Sequence, residues 1–192
     1  MLYFHHNNYH HHQTIFGPTN EEISKYGQIV RILEQLYAIE CNKDYKLFVT
    51  GFSLGGGLSS LLAFALSRSD TVPFIPKPIT AITFASPVSG NDEFVEAFKQ
   101  EEKDGKLRHI RISNNNDLVT SELVLKHTGL NMNLRKGRKM DIVYGNVRQK
   151  LGGNIEDHDL DEYYNNIFQE ANRDILEKNV EELYEEYAAD VL

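Results

Sequence analysis

Cysteine, positive charge and long apolar runs are all scarce in this 192-residue sequence, and each scarcity closes off a class of protein. Cys41 stands alone, so no disulfide can form within the chain and no cysteine cage can hold a metal. Lysine and arginine number 20 against 28 aspartate and glutamate, for a net charge of -8. The clustered cations that neutralise nucleic-acid phosphates are missing, and no nucleic-acid partner is expected. Anionic lipid headgroups hold no attraction for such a chain either, so any contact with a lipid-droplet or membrane surface has to be apolar. No run of about 18 apolar residues is available to cross a membrane. Met1 to His12 is aromatic and histidine-rich where a signal peptide is basic and then apolar, so the chain as it stands is expected in the cytoplasm.

What remains, 41% hydrophobic and 25% charged, is the composition of one soluble globular domain. Residues 1–13 are the low-complexity tract, with His5, His6, His10, His11 and His12 interleaved with asparagine and tyrosine. A metal site needs fixed geometry that a polar terminus does not supply, so a disordered tail is expected there, with one domain over 14–192 and no metal. Thr19-Asn20-Glu21-Glu22 is a capping box, and Ile23, Tyr26, Val30, Leu33 and Leu36 follow it at helical spacing. Ile79 to Phe84 and Leu107 to Ser113 read as buried strands, and Asn91 as the cap of a helix between them. The alternation predicts a mostly parallel sheet with helices on both faces. Thr128 to Leu134 and Met140 to Tyr144 read as a hairpin at the sheet edge. Leu160, Tyr164, Phe168, Ile175, Leu183 and Tyr187 read as one apolar stripe along a closing helix or two.

The chain is organised around Leu47 to Leu66, where a β-branched and aromatic run gives way to glycines and then to leucine and alanine: strand, tight turn, helix. Inside it, Gly51-Phe52-Ser53-Leu54-Gly55 fits the G-x-S-x-G elbow that lifts a nucleophilic serine above a sheet. Gly51 and Gly55 are expected to be glycine because a side chain at either position would collide across the turn. The five-residue pattern is weak alone; the strand before it and the helix after it supply the context an elbow needs. A phosphate-cradling turn is the other use of such glycines, but G-x-x-x-x-G-K-[ST] is not matched and no lysine follows.

A serine hydroxyl is a poor nucleophile until an imidazole takes its proton and a carboxylate orients that imidazole. In α/β-hydrolases the three follow in the order serine, acid, histidine. Asp117 ends the third strand after Asn114-Asn115-Asn116, where open α/β sheets place catalytic groups; an Asx turn is its other reading. His158 lies in a loop between glycines and a helix, a placement that lets a base reach across to another strand's end. His127 begins a strand-like segment and reads as structural, and His109 lies within a strand ahead of the acid. Asp157 and Asp159 flank His158 too closely to orient it, and one of them is expected to cap a helix.

Val49 to Gly56, Thr83 to Asn91, Arg111 to Val119, His127-Thr128-Gly129 and His158 to Tyr164 together resemble the class 3 (fungal-type) lipases of the α/β-hydrolase superfamily. The likeness runs in family order over roughly Thr19 to Ile167. It implies an α/β-hydrolase fold, with Ser53 as nucleophile, Asp117 as acid and His158 as base. It also implies cleavage of ester bonds in acylglycerols or phospholipids through an acyl-enzyme, with no metal or organic cofactor. The residue after the nucleophile, Leu54, supplies an oxyanion-hole N–H. Three departures stand out. Phe52 replaces the family's usual histidine, Leu118 and Thr120 replace its usual prolines, and the upstream oxyanion loop and lid are expected to be lacking, as in an N-terminally truncated member. The alternative function is a catalytically silent relative that binds lipid or a protein partner.

Overall fold

The computed structural model describes residues 24–40, 45–70, 72–121, 126–145 and 153–192. The histidine tract, the capping box and the turn at 42–44 lie outside these. Helix α1 (Lys25–Glu40) leads to strand β1 (Phe48–Phe52), helix α2 (Leu54–Ser67), strand β2 (Ile79–Phe84), helix α3 (Asp92–Lys103) and strand β3 (Leu107–Asn114). Strands β4 (Leu130–Arg135) and β5 (Arg138–Tyr144) follow. The five strands form one sheet in the order β1-β2-β3-β4-β5. β1 to β4 run parallel, with Phe48 opposite Thr80, Ile79 opposite Leu107 and Ile110 opposite Leu130. β4 and β5 form the antiparallel hairpin expected at the edge.

Alternate residues of a strand face opposite sides of the sheet, and the two apolar cores divide along that alternation. Ile79, Ala81 and Leu107 pack with Leu61 and Phe64 of α2 and Phe94 and Phe98 of α3, with Tyr26, Val30 and Leu33 of α1 against them. Phe84, Ile110 and Ile112 pack instead with residues of the C-terminal helices, among them Tyr163, Ile175 and Leu183. The sheet is therefore covered on both faces. α3 shows why a charged segment becomes a helix: Asn91 accepts from the Phe94 N–H at 3.1 Å, Asp92 and Glu93 occupy the first turn and Lys103 the last.

The C-terminal segment departs from the single stripe read in the sequence. A 3₁₀ turn (Glu156–His158) precedes α4 (Leu160–Ile167), a second 3₁₀ turn (Glu170–Asn172), α5 (Arg173–Leu176) and α6 (Val180–Tyr187). Each break resets the helical phase. Asp159 caps α4, accepting from Asp161 N–H at 2.8 Å, and this turns Tyr163 and Asn166 inward while Leu160, Tyr164 and Phe168 face out. A capping box at Asn179 and Glu182 restarts the pattern in α6.

Candidate active site

β1 ends in the turn that presents Ser53, whose φ of 53° and ψ of -125° cost a non-glycine residue on the order of 1–3 kcal/mol. Three backbone bonds hold it there: Ser53 N–H donates to Phe84 O at 2.9 Å, and the Gly56 and Gly57 N–H groups donate to Ser53 O at 2.9 and 3.3 Å. Gly51 lets the turn close, since a Cβ there would stand 2.2 Å from Gly55 O. Gly55 corrects the expectation from sequence, because a Cβ at that position meets nothing within 4 Å. The second steric requirement falls on Gly56, whose Cβ would come within 2.9 Å of Ser86 Cβ. α2 presses on the end of β2 here, just where Ala85 adopts φ 52°.

The structure brings Asp117 and His158 to Ser53. His158 Nε2 lies 2.8 Å from Ser53 Oγ, and Nδ1 lies 2.9 Å from Asp117 Oδ2 and 3.1 Å from Oδ1. A proton on Nδ1, donated to the carboxylate, leaves Nε2 free to accept from the serine. Asp117 is fully buried, and both its oxygens have further donors: Val119 N–H to Oδ1 at 2.8 Å and the Tyr163 hydroxyl to Oδ2 at 2.7 Å.

Tyr163 escaped the sequence reading. Burial, reinforced by Asp117, pushes its phenol upward, so it stays protonated and donating. Its oxygen also accepts the Asn114 N–H at 3.0 Å. The only signal for it was position, the first inward residue after the Asp159 cap. Asn114 joins the same framework, donating from Nδ2 to Asp157 O at 2.8 Å and so tying the end of β3 to the turn that carries His158. Phe52, in the place of the family's usual histidine, packs its ring with the centroid 5.3 Å from that of His158 and 5.7 Å, edge on, from that of Tyr163.

The other two histidines in the described residues stand apart. His109 is buried between Thr83 Oγ1, 2.9 Å from Nε2, and Thr128 Oγ1, 3.0 Å from Nδ1. Burial first and the Arg111 charge second push it down to about 3, so it is neutral. His127 is also buried, and burial holds it well below the usual histidine range. At the start of α2, the Leu54 and Gly55 N–H groups have no acceptor among the described residues. They lie at the positive end of the helix dipole, where an oxyanion is stabilised. Among the described residues, no group of three or more His, Cys, Asp or Glu side chains is placed to hold a metal ion.

The sequence matches the family described as "Lipase (class 3)" over residues 3–125. The chain belongs to the class 3 lipase family. Phospholipase A1-II 5 of Oryza sativa subsp. indica is 34% identical over 115 residues, which is 55% of this chain and 24% of that protein. The class 3 lipase chain thus spans about a quarter of that plant relative. Among solved structures, the lipase from Rhizopus microsporus var. chinensis matches with a TM-score of 0.56 and 21% identity, over 70% of this chain and 50% of that one. Lipase II from Rhizopus niveus matches with a TM-score of 0.53 and 24% identity, over 70% and 54%. These likenesses carry the α/β-hydrolase fold.

Proposed function

We propose that this class 3 lipase chain hydrolyses carboxylic ester bonds of lipids, acylglycerols or phospholipids, with Ser53 as nucleophile, His158 as base and Asp117 as the acid that orients it. The observation that carries this reading is the unbroken run of contacts from Ser53 Oγ through both nitrogens of His158 to a buried carboxylate. His158 takes the hydroxyl proton as Ser53 Oγ bonds to the ester carbon, and the negative charge on the former carbonyl oxygen meets the Leu54 N–H. Collapse of that intermediate expels the alcohol, which leaves with the proton held on His158. Water then enters by the same route, releasing the carboxylic acid and restoring Ser53.

The apolar surroundings favour a lipid ester. Leu54, Leu118, Ile155 and Leu160 are all exposed, and each lies within three residues of Ser53, Asp117 or His158 in the sequence. On a chain of net charge -8, such a rim suits contact with a neutral lipid surface through apolar side chains.

The test is hydrolysis of a short-chain p-nitrophenyl ester by the purified chain beside Ser53→Ala, together with covalent labelling by a fluorophosphonate. Turnover and labelling that both vanish in Ser53→Ala are expected. A folded chain that neither turns over ester nor labels at Ser53 overturns the proposal. Lipid binding that survives Ser53→Ala in that case would favour a silent lipid-binding relative.

A further inference from the structure

The hairpin that closes the sheet gathers positive charge. Arg135, Lys136, Arg138 and Lys139 fall within five successive positions on a chain of net charge -8. Gly137, at φ 69°, permits the tight reversal, so β4 ends and β5 begins with Arg135 and Arg138 opposite each other. Like charges directly opposite on neighbouring strands destabilise the pairing, and folding alone gives no reason to collect cations here. Net charge averages over the surface and hides this corner.

Lys139 is taken up by Asp174. The other three cations line a cavity of about 510 Å³, within the roughly 300–1,000 Å³ of small-molecule sites. It lies at the carboxyl ends of the parallel strands β3 and β4, where open α/β sheets receive ligands. Asparagines of the lining are fixed by their own hydrogen bonds: Asn166 Nδ2 donates to Asn114 Oδ1 at 3.1 Å, and Asn133 Nδ2, from β4, to Asn115 Oδ1 at 3.2 Å. Asn115 Nδ2 in turn donates to Asn116 Oδ1 at 3.2 Å, which leaves the Asn116 amide nitrogen with no acceptor among the described residues.

The charges of the lining are incompletely paired. Arg138 has no acidic partner among the described residues. Lys136, with its side chain 84% exposed, reaches Glu162 at 3.9 Å, a surface contact of little worth. Arg135 pairs with Asp141, yet its Nε is buried with no hydrogen-bond partner. One carboxylate, Asp157, lines the same space, and among the described residues that residue is tied through its backbone alone. Three cations against one carboxylate leave the cavity positive. A bare anion would be repelled by Asp157, whereas a ligand that carries hydroxyl donors beside its negative charge satisfies both kinds of group.

We propose that this cavity binds a phosphorylated polyol, free or as a lipid headgroup, with its phosphate held by Arg135, Lys136 and Arg138 and its hydroxyls by Asp157. The planar fork of arginine matches phosphate oxygens in pairs, and the Asn116 amide adds a neutral donor. Asn116 and Asp157 each precede a member of the Ser53, Asp117 and His158 array, so an occupant is seated against the turn that carries His158. The site uses none of those three side chains and does not rest on the hydrolase reading.

The experiment titrates the full chain with sn-glycerol 3-phosphate, inorganic phosphate and glycerol, followed by NMR amide shifts, in the wild type, Arg138→Ala, Lys139→Ala and Asp157→Ala. Glycerol 3-phosphate should saturate the wild type, shift residues 114–116, 135–138 and 157, and bind more tightly than inorganic phosphate. Arg138→Ala should weaken it about tenfold, the scale of one lost charge-assisted hydrogen bond. Lys139→Ala removes the same charge from the same hairpin outside the cavity and should change affinity by less than about twofold. Asp157→Ala should erase the preference over inorganic phosphate. No saturable shift up to about 10 mM glycerol 3-phosphate, or equal weakening in Arg138→Ala and Lys139→Ala, overturns the site. Equal affinity of the wild type for the two phosphates overturns the polyol. Phosphatidylcholine vesicles carrying phosphatidylinositol or, at equal charge, phosphatidylserine separate the two sources, with Ser53→Ala in place so that no lipid is consumed. Pelleting that needs phosphatidylinositol and is lost in Arg138→Ala assigns a lipid headgroup; binding of glycerol 3-phosphate without such pelleting assigns a soluble ligand.

Discussion

Tyr163→Phe removes one oxygen and two hydrogen bonds while leaving the ring in its place against Phe52. The bond lost to the Asp117 carboxylate is a charge-assisted one, worth about 1.5–3 kcal/mol. The Asn114 N–H, left without its acceptor in a buried position, adds about 1–3 kcal/mol. Relaxation recovers part of this, so a loss of about 3 kcal/mol is expected, a large share of a total stability of about 5–15 kcal/mol. Activity should fall less than on removing the carboxylate itself, because Val119 N–H and His158 still hold Asp117. A decrease in kcat of about tenfold corresponds to half of that energy appearing in the transition state, at about 1.4 kcal/mol per factor of ten. Urea unfolding gives the stability and ester hydrolysis the rate. Tyr164→Phe, next door and 63% exposed, serves as the control and should stay within about 0.5 kcal/mol of wild type. A Tyr163→Phe protein as stable and active as that control refutes the assignment of Tyr163 as the anchor of Asp117.

The elbow separates its two glycines: Gly51→Ala, with a Cβ 2.2 Å from Gly55 O, should lose about 3 kcal/mol or fail to fold, whereas Gly55→Ala should unfold within about 1 kcal/mol of wild type by thermal melting. Glu102 makes stability depend on pH. Burial pushes its carboxyl up to about 7, partly countered by the hydroxyls of Tyr144 and Tyr184 that donate to it. The folded chain therefore holds that proton more tightly than the unfolded one, so its contribution is present below about pH 4.5 and is lost as pH rises through about 7. Glu102→Gln should flatten the fall in urea midpoint across that range, and an unchanged slope would sink the idea. His109, down at about 3, works in the opposite sense. Its stabilising effect is present above about pH 6.5 and is lost on acidification, so His109→Gln should soften the acid-side loss of stability seen by the same urea measurement.

The sheet was legible because its strands are short β-branched runs bounded by glycine, proline and asparagine. β2 covers the Ile79 to Phe84 run read in the sequence, and β3 extends one residue beyond Ser113. The meeting of Ser53, Asp117 and His158 was legible for a related reason, since topology fixes which strand ends adjoin. What periodicity could not carry was phase across a break. The stripe drawn from Leu160 to Tyr187 assumed continuous helix, and the caps at Asp159 and Asn179 shifted the inward face so that Tyr163 entered the core and Tyr164 left it. Gly55 was misjudged because a five-residue pattern does not say which of its glycines meets a neighbour; the contact at Gly56 depends on Ser86, which is distant in sequence.

The three members of the array are held with unequal firmness. Ser53 is fixed by the contacts of Gly51 and Gly56 within a closely packed strand and helix. Asp117 is buried, and its carboxylate accepts from three separate donors. His158 sits on a single 3₁₀ turn whose ties are polar: Asn114 Nδ2 to Asp157 O, Asp157 N–H to Asn154 Oδ1, and the backbone pairing of Asn154 with residues beside Asp117. Few apolar contacts anchor that turn, so local opening costs less there than in the sheet. Loss of the Asn114 carboxamide should therefore displace His158 before it disturbs either partner. Asn114→Ala is expected to lower kcat while Asp117 keeps its bond to Tyr163, and hydrogen exchange at residues 156–158 should rise well above that of β3. Equal exchange in the two segments would mean that the turn is held by something other than these polar ties.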